Sequence, residues 1–187
     1  NATVLDFDAS TVGGALSATA TAGDITDTGV LAITGTSNFT VAGGQNITLD
    51  SDNTFSGAVT FAPSAGTLAS VTINDSDALI LQELTTTGDL TVTAGGNITD
   101  SDTVTVGGDL AATTDASSST IDLGTLAVTG SVALVTHGSG AATVVNDEGL
   151  NFARSTVGGA LSATATAGNI TDTGRLTITG TSTFTVA

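Results

Sequence analysis

The stretch Ser10 to Ala42, STVGGALSATATAGDITDTGVLAITGTSNFTVA, returns at Ser155 to Ala187 as STVGGALSATATAGNITDTGRLTITGTSTFTVA. The copies lie 145 residues apart and differ at four positions: Asp24/Asn169, Val30/Arg175, Ala32/Thr177 and Asn38/Thr183. Self-similarity at a fixed offset restricts a fold more than composition does, because it announces a unit that stacks on its own copies. The match reaches further back, so that residues 1–42 align with 146–187, Leu5 falling on Leu150 and Phe7 on Phe152.

Within the repeat the apolar residues come in short alternating runs closed by Gly, Asn or Asp. Leu31-Ala-Ile33, Phe39-Thr-Val41, Ile47-Thr-Leu49, Val71-Thr-Ile73 and Leu90-Thr-Val92 are examples. Period-two alternation of β-branched and aliphatic residues predicts short strands, and no stretch carries the three-and-four spacing of a helix. A small or polar residue followed by Gly precedes a strand at Gly14, Gly35, Gly57, Gly88, Gly108, Gly130, Gly159 and Gly180. The intervals run 21, 22, 31, 20, 22, 29 and 21 residues. This rhythm predicts coils of 20 to 22 residues with a longer coil every third, and half-repeats near 15–88 and 89–159.

Three short strands in about 21 residues cannot make an independent sheet. They can pair with their equivalents one coil along, as a parallel β-solenoid with Leu, Ile, Val, Phe or Ala inward and Thr and Ser outward. The expected fold is therefore all-β: a parallel β-helix of about three strands per coil over residues 1–187, a single segment of a longer array. A little over eight coils at ~4.8 Å each gives a rod of about 40 Å. The chain starts and stops in mid-pattern, which predicts continuation or cover by neighbouring copies.

Composition narrows the partners. The net charge is −16, with Arg154 and Arg175 the only basic residues besides His137. A surface so acidic repels phosphates and anionic headgroups, so neither nucleic acid nor membrane insertion is expected. There is no cysteine for disulfides or thiolate metal sites, and no apolar run long enough to span a bilayer.

The phrases GGALSATATAGDITDTGVLAITG, FTVAGGQNITLDSDNTFSGAVTF and INDSDALIL resemble the repeats of large filamentous-haemagglutinin-like exoproteins of Gram-negative bacteria. The similarity covers Ser10 to Ala187. It implies a right-handed β-helix, secretion to the cell surface, and a role in adhesion, biofilm or a fibrous coat. The amino-terminal secretion domain of such proteins does not occur in these 187 residues, which fits a fragment.

No residues are assigned catalytic, cofactor-binding or metal-binding roles, and an enzyme is not expected. His137 is the only histidine and has no cysteine partner. A Ser-His-Asp set assembled from a chain this rich in Ser and Asp carries no specificity. Polysaccharide-cleaving β-helices need carboxylates clustered with basic residues, and only two arginines exist. The acidic turns Asp50-Ser-Asp52-Asn53, Asn74-Asp75-Ser-Asp77, Asp100-Ser-Asp102 and Asn146-Asp147-Glu148 offer oxygens to calcium. Turn formation by Asx side chains is favoured over calcium, since the calcium-binding nonapeptide pattern is absent.

Asn46, Asn97 and Asn169 begin Asn-Ile-Thr corners that read either as glycosylation acceptors or as a stacked Asn ladder. Asn1, Asn38 and Asn74 also stand in acceptor contexts. Asp24 at the corner equivalent to Asn169 favours the ladder. Threonine pairs such as Thr103-Val-Thr105 and Thr177-Ile-Thr179 raise ice binding, against which stands their spread over all strands.

The expected function is a structural repeat region of a secreted surface adhesin or extracellular fibre, in contact end to end with further coils or copies. The alternative is a module whose longer units, Gly57 to Gly88 and Gly130 to Gly159, project loops that bind host or matrix glycans or a protein.

Overall fold

A computed structural model describes residues 4–187; Asn1, with its acceptor context, lies outside them. The described chain is a parallel β-solenoid of nine coils without a helix. The first coil carries β1 (Val4–Phe7), β2 (Ser10–Val12) and β3 (Leu16–Ala20), the second β4 (Asp24–Asp27), β5 (Leu31–Ile33) and β6 (Ser37–Val41). The third holds β7 (Ile47–Phe55) and β8 (Val59–Pro63), the fourth β9 (Val71–Asp75), β10 (Leu79–Leu81) and β11 (Leu84–Thr86). The fifth is β12 (Leu90–Ala94), β13 (Ile98–Asp100) and β14 (Val104–Val106). Two long strands make up each of the next: β15 (Leu110–Ser117) with β16 (Ile121–Val128), then β17 (Ser131–His137) with β18 (Ala142–Asn146). The eighth is β19 (Leu150–Phe152), β20 (Ser155–Val157) and β21 (Leu161–Ala165), the ninth β22 (Ile170–Asp172), β23 (Leu176–Ile178) and β24 (Ser182–Val186).

Two sheets run the length of the rod. The first is β1-β4-β7-β9-β12-β15-β17-β19-β22, the second β3-β6-β8-β10-β13-β16-β18-β21-β24. In the first sheet Leu5, Ile25, Ile47, Val71, Leu90, Leu110, Val132 and Phe152 are successive register partners, 19 to 24 residues apart. Alternation does the sorting: Val71, Ile73, Leu90 and Val92 are buried while Thr72 and Thr91 between them face out. At one end of the core Phe39 meets Phe7 and Phe55 edge-on, at 6.4 and 6.0 Å between centroids, and stacks on Phe61 at 6.0 Å. From the fourth coil to the seventh the interior is aliphatic, built from residues such as Leu90, Leu110, Leu123 and Leu134.

The third strand of each coil changes sides. In the first three coils it follows the first-sheet strand, with Val12, Ile33 and Phe55 in register. From Leu68, at the end of the third coil, to the sixth coil it follows the second-sheet strand, where Leu68, Thr86, Val106 and Val128 are in register. In the last two coils β20 and β23 restore the first arrangement. β7 and β16 bend around the corner at these changes, each with a register shift.

This switch explains the glycine rhythm and corrects one expectation. The 31- and 29-residue intervals are not longer coils; they are one and a half coils. Gly35 N–H donates to Gly14 O, and a Cβ on Gly57 would meet Gly35 O at 2.5 Å, so these three share a corner. Gly88, however, stacks on Ala69, followed by Gly108 and Gly130 at the opposite corner. Gly159 stacks on Gly140 and Gly180 on Gly159, back at the first corner. A half-repeat is thus three and a half coils and carries each motif to the other sheet: β4 and β22 of the Asp/Asn-Ile-Thr phrases are in the first sheet, β13 in the second. The 145-residue repeat is seven coils, from β1 to β19.

Candidate functional site

Polar side chains that bond from coil to coil form two systems. The outer one lies at the corner before the first sheet, where each side-chain oxygen accepts the backbone N–H of the coil that follows. Asp24 accepts from Asn46 N at 2.7 Å, Asn46 from Ser70 N at 3.2 Å, and Ser70 Oγ from Asp89 N at 3.0 Å. Asp89 then accepts from Asp109 N at 2.9 Å, and Asp109 from both the N–H and the hydroxyl of Ser131 at 2.7 and 2.9 Å. Those two bonds, the backbone one foremost, hold the Asp109 carboxyl below its ordinary range. This ladder corrects the expected one: Asn46 belongs to it, but Asn97 lies before the second sheet, where it accepts from Thr120 N at 2.9 Å.

The inner system is buried. Asn53, with no exposure, donates to Asp27 Oδ2 at 2.7 Å and to Leu49 O, and accepts from Leu31 N at 2.7 Å. Asp27 Oδ1 in turn accepts from the N–H groups of Asp50 and Ser51. One coil along, Asp75 closes the third strand of the first flank: its Oδ1 accepts from Phe55 N at 3.1 Å and from Asp77 N at 3.2 Å. Asn146 closes the third strand of the other flank in the same way, its Oδ1 accepting from Val128 N at 2.8 Å. The Asn146 amide also donates to Val128 O at 3.0 Å and Gly149 O at 2.8 Å. Asp75 has no counterpart to these bonds, and its Oδ2 is buried without a partner. Burial pushes the Asp75 carboxyl above its ordinary range; the bonds from Phe55 and Asp77 N–H oppose this, and the charges of Asp77 and Asp52 add to it.

The remaining sequence candidates are scattered. Asp100 caps the β16 bend, accepting from Gly124 N and from Thr125 N and Oγ1, and Asp102 accepts from Thr103 N. Exposed His137 lies 2.6 Å through Nδ1 from Thr114 O, a contact in which the ring nitrogen donates. Among the described residues no group of three or more His, Asp or Glu is arranged to hold a metal ion. Asn38, Asn97 and Asn169 are exposed, Asn46 and Asn74 partly so. Threonine does recur at one coil position over part of the rod: Thr26, Thr48, Thr72 and Thr91 are register partners, after which Ala111 and Ala133 take the column.

The stretch Gly57 to Gly88 holds an open cleft of about 640 Å³, lined by residues that include Thr60, Phe61, Pro63, Gln82, Glu83 and Thr85. It exists because β8 meets β10 only at Val59 and Leu81, leaving the rest of β8 without a partner in the fourth coil. In the other half-repeat β20 pairs with Val135 and fills the corresponding place.

Asp75 closes a turn as an Asx residue is expected to, through the bond from Asp77 N, but it and Asn146 are also buried. The alternation itself contained the signal: Val71, Ile73 and Asp75 are in one phase, as are Ala142, Val144 and Asn146, and that phase points inward.

The family model for Repeats of unknown function (DUF5649) matches residues 1–62, 68–125 and 139–187. The chain belongs to this family. Its three matches start 67 and 71 residues apart, close to the half-repeat. No curated protein and no solved structure matches the chain.

Proposed function

We propose that the chain is the stiff repeat region, stalk or filament body, of a secreted bacterial surface adhesin or extracellular fibre of the filamentous-haemagglutinin-like kind. The observation that supports this most is the use to which polar groups are put. Many buried and corner polar side chains bond to a neighbouring coil, as in the six-residue ladder from Asp24 to Ser131. Side chains spent on stacking give rigidity along the axis. The partner surface on this reading is another coil. Phe184 meets Phe152 edge-on at 6.3 Å as Phe39 meets Phe7 at 6.4 Å, so the same aromatic contact recurs with the 145-residue period.

Insertion of one further 145-residue period tests this. Small-angle scattering should show a rod longer by about 34 Å, seven coils at ~4.8 Å, with unchanged cross-section, and a binding tip displayed on the rod should keep its affinity. A wider or compact particle, or a tip that loses binding, would overturn the stalk reading.

A second reading, glycan binding, no longer rests on projecting loops, since the long units are ordinary coils. It keeps the cleft between the third and fourth coils, where Thr60, Gln82 and Thr85 offer hydroxyl and amide groups to a neutral sugar. NMR titration with neutral oligosaccharides should perturb these residues if the cleft is a site, and leave them unmoved if the rod is a spacer alone.

A further inference from the structure

We propose that Asp75 is a proton-holding site in the middle of the rod, carried as the neutral acid with its Oδ2–H donating to a backbone carbonyl, so that one coil junction tightens in acid and loosens toward neutral pH. The argument rests on its twin. Asp75 and Asn146 hold equivalent positions with matching backbone partners, apart from one further bond that Asp75 Oδ1 accepts from Asp77 N. The residue after each donates its N–H to the preceding coil, Ser76 to Asn53 O and Asp147 to Leu126 O. The carbonyl of each accepts from the following coil, from Gly95 N at 2.7 Å and Thr166 N at 2.9 Å. Each Oδ1 accepts the N–H of the last residue of a third strand, Phe55 or Val128.

At Asn146 the remaining side-chain position is a donor serving two carbonyls, Val128 O and Gly149 O. By position the carbonyls that correspond at Asp75 are those of Phe55 and Ala78. Asp75 Oδ2 itself has no hydrogen-bond donor, in a site with 0 % exposure. A buried acceptor without a donor is costly, and a proton on Oδ2 turns the same atom into the donor the site requires. The titratable groups that bear on Asp75 are Asp52, from the bend of β7, and Asp77, from its own turn, and both carry negative charge that favours the proton. β12, stacked on the other side through Ala94 and Gly95, brings no titratable group, and neither arginine lies in these coils.

The sign of the effect follows. The folded rod holds this proton at pH values where the unfolded chain has released it, so stability falls as pH rises from the unfolded carboxyl range, about 3.9, through the raised folded value. Above that value the loss is complete. Carboxyl-carbon NMR titration of the intact chain should place the Asp75 midpoint above those of the exposed aspartates. Asp75→Asn should melt higher than wild type at pH 7, by roughly 2–4 °C, with the gain shrinking toward pH 4. Asn146→Asp should acquire the same pH dependence, melting lower than wild type at pH 7 with the loss shrinking toward pH 4. Asp75 titrating with the exposed aspartates, or an Asp75→Asn gain independent of pH, would overturn the proposal. The wild-type titration decides the matter even if a variant fails to fold.

Discussion

Asp75 and Asn146 do one job in successive half-repeats, on opposite flanks of the rod, with different chemistry. Both end a third strand by presenting a side-chain oxygen to the N–H that the next strand would have bonded. The amide then satisfies two carbonyls as well, whereas the carboxyl leaves an oxygen unpartnered. The difference teaches that a solenoid can drop a strand from its coil if one buried side chain imitates the missing backbone. An amide imitates both donor and acceptor, and a carboxylate only the acceptor.

Removing the imitation should cost unequally. Asn146→Ala leaves Val128 N–H, Val128 O and Gly149 O without their partner and is expected to lower stability by about 3–5 kcal/mol, at ~1–3 kcal/mol for each group so stranded. Where the Asp75 carboxyl is ionised, Asp75→Ala removes the unpartnered oxygen along with the acceptor and should cost about 1–2 kcal/mol. Denaturant unfolding measures both, and equal losses would break the comparison.

The glycines offer a second contrast. A Cβ at Gly130 would sit 2.2 Å from Gly108 O, while one at Gly124, in the bend of β16, meets nothing nearer than Asp100 Oδ1 at 4.0 Å. Gly130→Ala should therefore cost about 1–3 kcal/mol and Gly124→Ala within ~0.5 kcal/mol. The smallest effect belongs to the exposed ladder. Asp109, held low by Ser131, contributes stability above the ordinary carboxyl range, and this is lost as pH falls through its depressed value. Asp109→Asn, which keeps an acceptor, should be nearly neutral at pH 7 and should flatten that acid limb in a pH series of melting curves.

Much of the architecture was legible because the constraints are local. Alternation in runs such as Val71-Thr-Ile73, glycine at corners and the 145-residue offset each act within one coil, and together they specify parallel stacking. The interval from Gly57 to Gly88 was misread because spacing alone cannot distinguish one long coil from a coil and a half. Only the pairing of Gly88 with Ala69, a contact absent from the glycine series, separates them. The burial of Asp75 and Asn146 is harder to read, because a turn role, which Asp75 fills toward Asp77 N, already accounts for an Asx residue there and masks the inward phase of the strand. Asp27 and Ser155, also buried, carry the same lesson.

The claim that a half-repeat is three and a half coils can be tested directly with cysteine pairs, since the native chain has none to interfere. Thr72 and Thr91 are register partners in adjacent first-sheet strands and both face outward. Neighbouring strands lie about 4.8 Å apart, within reach of a disulfide. Thr60 and Thr91 each stand three residues after a corner glycine, and would be neighbours if Gly57 to Gly88 were one long coil. Under mild oxidation Thr72→Cys with Thr91→Cys should cross-link within the chain, and Thr60→Cys with Thr91→Cys should not. Cross-linking of the second pair and not the first would contradict the account.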